Sequence, residues 1–587
     1  MSENHTVENF LKRRFGIFLH WGVYAEIGGC YHGEEMPYIG EWAQMYYKIP
    51  NAEYENIART FNPVQFNARE WVSLMAEAGA KYIVYTAKHH DGFAMYHSHC
   101  DPFNITDFTP FHRDPLKELA DACAEHNMGL GIYYSQNLDW HHPHARTPDP
   151  ERTRNVGDMH WGNDWDFPDK NKNFELFFRD KCIPQLKELL TEYGPVCELW
   201  FDCAIDMTKN ESAELYSLVH SLQPDCAVNS RLGHGYQDFL SLGDNQNMHG
   251  KSPIPVESPI TLNDTWGFKY HDNNWKSPRL IAERLAALAD RNANLLLNIG
   301  PQPDGRFPEG AVNVLRTLAQ WNSLHPDVIA GTEPNPFPED FPWGPCTKKD
   351  NCLNFFLTEP RNMIVLPGVN GKIKSASVPF SEKPYLTLYP KQDDSSLLPV
   401  IQVEFESAPV IDSQRIVYDT LTELSPYSAK VTVLNQNQTQ NTENISYVDP
   451  ASVTQTIQNT MFIDCDGTAA SWHNPNERLE WKIRITEPGT YEIELITTQA
   501  IYDAPWQGNR TVEVVWQADD NTENIILTAL IEKTEDLYSP CYASAKSHLG
   551  VLTLSQGNGV LSCRTVQVKM ERETLGMHLS KILLRKK

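Results

Sequence analysis

The sequence predicts an α/β protein: a (β/α)8-like TIM barrel followed by two β-sandwich-type domains. Three observations predict it. From about residue 15 to 330, short β-rich apolar runs alternate with longer helical patterns, as parallel βα units require. Near residue 333 a proline-rich segment, Glu333-Pro-Asn-Pro-Phe-Pro338, ends the helical signals. Beyond it the apolar residues fall into short alternating runs punctuated by turn residues, the pattern of β-sandwiches.

The expected barrel strands are Phe15–Trp21, Lys81–Lys88, Met128–Ser135, Cys197–Asp202, Cys226–Ser230, Ile254–Ser258 and Asn294–Gly300, with an eighth easily hidden. Helical periodicity falls between them at Ala68–Ala78, Leu116–Glu125, Phe174–Leu190, Ser212–Leu222, Arg279–Asp290 and Gly310–Trp321. A doubly wound open sheet is the alternative, but no glycine-rich phosphate loop follows the first strand. The chain divides into a barrel (1–332), a first β domain (333–434) with strands such as Asn362–Leu366, Ile401–Phe405 and Arg415–Tyr418, and a second (435–587). The second opens on a polar linker-like stretch, Asn435–Asn444, and continues with Leu479–Ile485, Thr490–Thr497, Thr511–Trp516 and Val566–Met570.

Among 587 residues, 41% are hydrophobic and the net charge is −26, which supports large cores and repels phosphate backbones, so nucleic acid is not an expected partner. No run reaches the roughly 18–20 apolar residues of a membrane helix. The N-terminus lacks an apolar signal core, and the first structural segment starts near Phe15, so export is expected only if a signal peptide has been removed. Of the 12 cysteines, Cys346 and Cys352 are near enough in sequence for a local bridge, and no metal-binding cysteine framework is visible.

Alternation along a barrel strand separates residues facing the helices from those facing the axis. In Met128–Ser135 the bulky set Met128, Leu130, Ile132 and Tyr134 suits the helix layer, which turns Tyr133 inward. The same parity turns His20, Glu198, Trp200, Asp202 and Asn298 inward, and His89 or His90 joins them at the end of the second strand. All of these but Glu198, which lies deeper, fall at the C-terminal strand ends, the face on which barrel active sites are built. His141-His142-Pro-His144 is expected to be loop decoration, and no metal or other cofactor is implied. Carboxylates among indoles, with Glu41-Trp42, Trp266 and Trp275 nearby, suit a sugar ring stacked on aromatic faces and cleaved by paired acids.

The segments Arg14–Gly22, Glu41-Trp42, Lys88-His-His-Asp-Gly-Phe93, Gly131–Ser135, Leu199-Trp-Phe-Asp202, Asn263-Asp-Thr-Trp-Gly-Phe268 and Leu295–Pro301, in this order, resemble glycoside hydrolase family 29, the α-L-fucosidases. The resemblance covers most of residues 12–332. It implies a barrel followed by a β-sandwich and metal-free, retaining hydrolysis of terminal α-L-fucose from a fucosylated oligosaccharide or glycoconjugate. A hydrolase of a related sugar such as α-L-galactose, or a silent fucose-binding protein, is the alternative. Asp202 matches the family nucleophile, and Glu257, just ahead of Asn263-Asp-Thr-Trp-Gly, matches a common acid/base position. His20, Glu41, Trp42, His89, His90, Tyr133, Trp200 and Trp266 match the sugar pocket. Glu198 is the other inward carboxylate of the nucleophile's strand, and Asp238 and Asp244 are lesser acid candidates. The chain departs from the family pattern at Cys203, usually Gly, and at Val256, commonly Trp. In the last β block, Trp472, Trp481, Trp506 and Trp516 are compatible with sugar stacking, although core packing is the commoner use of Trp.

Overall fold

The computed structural model describes residues 5–148, 161–168, 171–252, 254–338, 340–391, 396–418, 420–433, 461–464, 466–472, 474–500, 511–519, 524–530, 535–538, 542–567 and 577–587. The barrel is built from eight parallel strands: β1 (Phe15–Leu19), β2 (Tyr82–Lys88), β3 (Gly129–Tyr134), β4 (Val196–Phe201), β5 (Ala227–Val228), β6 (Leu240–Ser241), β7 (Val256–Thr261) and β8 (Ala293–Ile299). Their spatial order is β5-β4-β3-β2-β1-β8-β7-β6. A parallel bridge between Asn229 and Phe239 joins the two end strands. The eighth strand is β6, two residues long and too short to leave a periodic signal.

Local chemistry sets the helix starts. In α3 (Pro115–Glu125) the Asp114 side chain accepts the Lys117 amide and Pro115 occupies the first turn. In α5 (Lys209–Leu222) Thr208 and Glu211 form a reciprocal capping box. In α6 (Pro278–Asp290) Ser277 caps the Leu280 amide. The remaining barrel helices are α1 (His5–Arg13), α2 (Ala68–Glu77), α4 (Ile183–Glu192) and α7 (Glu309–Leu324). The helical run expected over 174–190 is interrupted by a π-helical segment, Phe178–Cys182, which carries Lys181 to the buried Asp139 at 2.8 Å.

Two cores follow the strand parity. Phe15, Ile17, Leu19, Leu130, Ile132, Leu199, Leu295 and Leu297 pack against the helices. Phe18, Tyr82, Val84, Tyr133, Trp200 and Leu296 fill the axis. Helix α1, invisible in the hydrophobic pattern because its sequence is largely polar, sends Phe10 into the axial core, stacked on Phe239 at 4.3 Å between ring centroids. The Asn294 side chain donates to the Phe10 carbonyl at 2.9 Å. The N-terminal end of the barrel is thereby plugged, which leaves the C-terminal mouth for a ligand.

Past α7 a four-stranded sheet (Cys346–Lys349, Cys352–Phe356, Val400–Phe405, Ile373–Ala376) and a three-stranded one share a small core around Trp343, Phe355 and Leu388. Cys346 and Cys352, the pair near enough in sequence for a local bridge, are both free thiols. The last two sheets enclose a further core around Trp472, Trp481 and Trp516. All three indoles are buried, and those of Trp472 and Trp481 donate to the Glu477 and Ser425 carbonyls, so they pack rather than face a ligand. Trp506 and the polar stretch 435–444 lie outside the described residues. Strands Arg415–Val417, Leu421–Leu424 and Lys430–Val433, grouped by sequence with the first β block, hydrogen-bond to strands of these last sheets. Alternation identifies a strand but not its partner, which tertiary packing selects.

Candidate active site

The barrel mouth gathers side chains from the ends of β1 to β4 and from the loops after β5, β6 and β7. Asp202 stands one residue past β4. Its Oδ2 accepts the Tyr133 hydroxyl at 3.0 Å and its Oδ1 accepts the Arg231 guanidinium at 3.0 Å. The Cys203 amide donates to Oδ1 at 3.0 Å, so three donors fix the carboxylate, and the Asp202 backbone amide donates to the Gln136 side chain at 3.0 Å. Burial alone would raise its pKa, but the contacts from His90 and Arg231 overturn this and hold the carboxyl well below the usual range. Burial also lowers His90, so near neutral pH Arg231 supplies the permanent charge. Asp202 is an ionised carboxylate with a partly open face, as a nucleophile must be.

The two histidines from Lys88-His-His-Asp-Gly-Phe93 are held by their motif. Asp91 accepts the Tyr54 hydroxyl at 2.7 Å and the Phe93 amide at 3.2 Å. Gly92 has φ +78°, and a Cβ there would lie 2.1 Å from Asp139, so the turn requires glycine. The buried Lys88 and Lys181 both pair with Asp139, at 3.3 and 2.8 Å, which anchors the β2 end to the loop that supplies Gln136. His89 stacks on Tyr133 with an interplanar angle of 9°, and its buried Nδ1 has no hydrogen-bond partner among the described residues.

His20 approaches Asn298 Oδ1 through Nδ1 at 2.7 Å, while the Asn298 amide nitrogen donates to the Trp266 carbonyl at 2.8 Å. That second bond fixes the amide orientation, so Nδ1 carries the proton and Nε2 keeps its lone pair for a hydroxyl. Burial lowers His20 to about 3, which keeps the ring neutral. Trp42 stands edge-on to His90 at 5.2 Å, Trp266 packs on His20 at 5.3 Å, and Trp200 stacks on Tyr133 at 5.7 Å under Arg231. The pocket therefore combines neutral imidazoles with aromatic faces, which suits hydroxyls on an otherwise apolar ring.

Glu41 is buried and accepts the Gly267 amide at 2.7 Å. Burial pushes it from 4.5 up to about 8, the amide opposing and the charges of Asp244 and Asp202 adding. A carboxyl whose folded-state pKa is raised contributes stability that is fully present below its unfolded value and is lost as pH rises through the folded one. Thermal stability should fall between about pH 5 and about pH 9, and fall less in Glu41→Gln, whose amide cannot ionise. Melting curves of the two proteins at both pH values check this; parallel pH profiles would contradict it.

Glu257 is not brought to Asp202. It lies on β7, opposite Asn294, fully buried, accepting the Tyr82 hydroxyl at 2.5 Å and the Trp200 indole at 2.9 Å. Thr261, paired with the mouth residue Asn298, is four residues further along the strand, so Glu257 sits roughly 13 Å back along the tilted strand, deeper in the barrel. This corrects the expectation of a loop-borne glutamate facing the nucleophile. Glu198 lies at the same depth, its pKa pushed up by burial and by Glu257. Asp238 is committed to Tyr216, His220 and the Val228 amide. Asp244, in the loop after β6, is half exposed and accepts Arg231 Nη2 at 2.6 Å, beside the nitrogen that holds Asp202. Arg231 was not among the expected site residues; it follows β5 in a single turn, Ser230–Leu232, where no periodicity points to it.

A family model described as Alpha-L-fucosidase matches residues 1–326. Among curated proteins, a putative α-L-fucosidase of Caenorhabditis elegans is 26% identical over 354 residues, covering 55% of this chain and 66% of that protein. Plasma α-L-fucosidase of Rattus norvegicus is 28% identical over 346 residues, 55% of this chain and 70% of the relative. The chain thus spans about two thirds of the length of these relatives. Among solved structures, an α-L-fucosidase from Vibrio sp. strain EJY3 aligns over 100% of this chain and 98% of its own, with 26% identity and a TM-score of 0.79. The α-L-fucosidase AlfC of Lactobacillus casei, in complex with its α-L-fucose product, is 43% identical over 55% of this chain and 99% of its own, with a TM-score of 0.52. An aspartate-to-alanine variant of that enzyme is solved with 4-nitrophenyl-α-L-fucopyranoside and with Fucα(1,6)GlcNAc. With an ionised carboxylate at the mouth of a barrel and these relatives around it, the chain belongs to the α-L-fucosidase family of glycoside hydrolases.

Proposed function

We propose that the protein is a retaining exo-glycosidase that removes terminal α-L-fucosyl groups from oligosaccharides or glycoconjugates, with Asp202 as nucleophile and Asp244, rather than Glu257, as acid/base. One observation supports the pair above all: both carboxylates rest on adjacent nitrogens of the Arg231 guanidinium at the open mouth, whereas Glu257 is sealed beneath Trp200. Asp202 attacks the anomeric carbon and forms an ester as the glycosidic C–O bond breaks, and Asp244 gives its proton to the leaving oxygen. Asp244 then takes a proton from water, whose oxygen attacks the same carbon and releases Asp202. The first step needs a protonated Asp244.

The complexes of AlfC with an aryl fucoside and with Fucα(1,6)GlcNAc support fucose in the pocket. The aromatic walls from Trp42, Trp200 and Trp266 suit the methyl group of a 6-deoxy sugar. Turnover of 4-nitrophenyl α-L-fucoside and of the α-L-galactoside tests the sugar: the fucoside should lead in kcat/KM by roughly 10–200-fold, the range that a small group in an apolar pocket commands. Equal rates would contradict the fucose assignment, and silence toward both would contradict the enzymatic one.

A further inference from the structure

Beside the nucleophile, Cys203 introduces sulfur into a pocket otherwise built of nitrogen and oxygen. It is buried and takes φ +56°, a backbone region that side-chain-bearing residues rarely occupy. Its Sγ lies 3.7 Å from His90 Nε2, and that nitrogen lies 3.5 Å from Asp202 Oδ2. The three donor atoms are all within 4.8 Å of one another. Bonds of about 2.0–2.3 Å at tetrahedral angles put the donors of a zinc site roughly 3.3–3.8 Å apart. Two of the three spacings are therefore already those of a bound ion, before any ion is present.

The hydrogen bonds behind His90 point the same way. Ser135 donates its hydroxyl proton to the Leu138 carbonyl at 2.9 Å, which leaves its oxygen able to accept from His90 Nδ1, 2.7 Å away. When a cation takes the Nε2 lone pair, the ring proton that otherwise bridges to Asp202 sits on Nδ1, where Ser135 accepts it, and Nε2, the carboxylate and the thiol converge on one point. A backing hydrogen bond of this kind is what orients a metal-binding imidazole.

We propose that His90, Asp202 and Cys203 form a thiophilic divalent-cation site, selective for zinc-like ions over magnesium or calcium, whose occupancy blocks the nucleophile and reversibly inhibits hydrolysis. The nitrogen, oxygen and sulfur donors suit a borderline-soft ion and not a hard one. On binding, the Cys203 thiol gives its proton to solvent as the sulfur–metal bond forms, and no electron changes hands. The fourth tetrahedral position faces the sugar pocket, so cation and substrate exclude each other. Arg231, 3.0 Å from the other Asp202 oxygen, opposes the positive charge and makes the ion an exchangeable inhibitor rather than a resident cofactor. The site uses the nucleophile of the proposed fucosidase but not its activity, and binding can be read without turnover.

The probes are zinc sulfate and cobalt chloride on the full chain, as isolated, with Cys203→Gly and Cys203→Ser as variants. Glycine adopts the φ of this position without strain. In the wild type, zinc should inhibit aryl α-L-fucoside hydrolysis competitively, reversed by a chelator, while magnesium has no effect. Each variant, measured against its own zinc-free rate, should need at least about tenfold more zinc for half-inhibition. Cobalt should give the wild type a near-ultraviolet thiolate-to-metal band that both variants lack. Equal zinc sensitivity in all three proteins, or no band and no inhibition at millimolar metal, would overturn the proposal. A cobalt band in a protein that hydrolyses no fucoside would leave this site standing and remove the proposed enzymatic function instead.

Discussion

Asp202→Ala should lose turnover on every α-L-fucoside, by on the order of 10⁴–10⁶-fold in kcat, the scale on which covalent nucleophiles are missed when a serine protease loses its own. The size follows from the surroundings. Tyr133, Arg231 and the Cys203 amide fix the carboxylate, Gln136 holds the backbone amide behind it, and no other described carboxylate among the barrel's inward strand residues stands at that level. Glu198 and Glu257 on the same axis are buried below it. Azide can enter the space left by the carboxylate, and it then attacks from the face Asp202 used, so the rescued product is the inverted β-fucosyl azide. A variant with near-wild-type rates would remove Asp202 from the reaction.

Asp244→Ala should fall by about 10²–10⁴-fold on substrates with a sugar leaving group, the usual contribution of a positioned proton donor. On a nitrophenyl fucoside, whose leaving group needs little protonation, the first step should be spared and the ester on Asp202 should accumulate. Azide then attacks that ester and gives the retained α-fucosyl azide. Glu257→Gln keeps the side chain's volume and an acceptor for Tyr82 or Trp200, so it should show none of this leaving-group dependence. Its losses should appear in stability and in KM, because Trp200 rests on it. The kinetic series is measured with leaving groups of graded acidity. A steep dependence in the Glu257 variant and a flat one in the Asp244 variant would reverse the two roles.

The strand parity was legible because a barrel strand has two unlike faces. Apolar bulk at Ile17, Ile132 and Leu199 marks the helix side, which left His20, Tyr133, Trp200 and Asp202 for the axis, where they are found. Glu257 shows where pattern fails. Pro255 and Pro259 flank it like turn residues, yet Val256–Thr261 is a barrel strand, with Pro259 opposite Leu296. Once the strand is recognised, the same parity puts Glu257 on the inward side and far below the mouth. Arg231 and Asp244 lie in loops, where no period constrains a side chain, and only folding brings them onto one carboxylate. The polar helix α1 was missed because it is short: Val7, Phe10 and Leu11 fall at helical spacing, and Phe10 and Leu11 meet the axial core, but three apolar residues in nine make no window long enough to read as periodic.

The proposed mechanism stands on one chemical event, attack of Asp202 on the anomeric carbon followed by attack of water on the opposite face, the one the leaving group vacated. Proton NMR of the first product released from 4-nitrophenyl α-L-fucoside, recorded before mutarotation, reads that event directly. The expected result is α-L-fucose formed first, with the β anomer growing in later at the spontaneous rate. First-formed β-L-fucose would mean a single displacement by water, with Asp202 acting as a base, and would contradict the double-displacement pair.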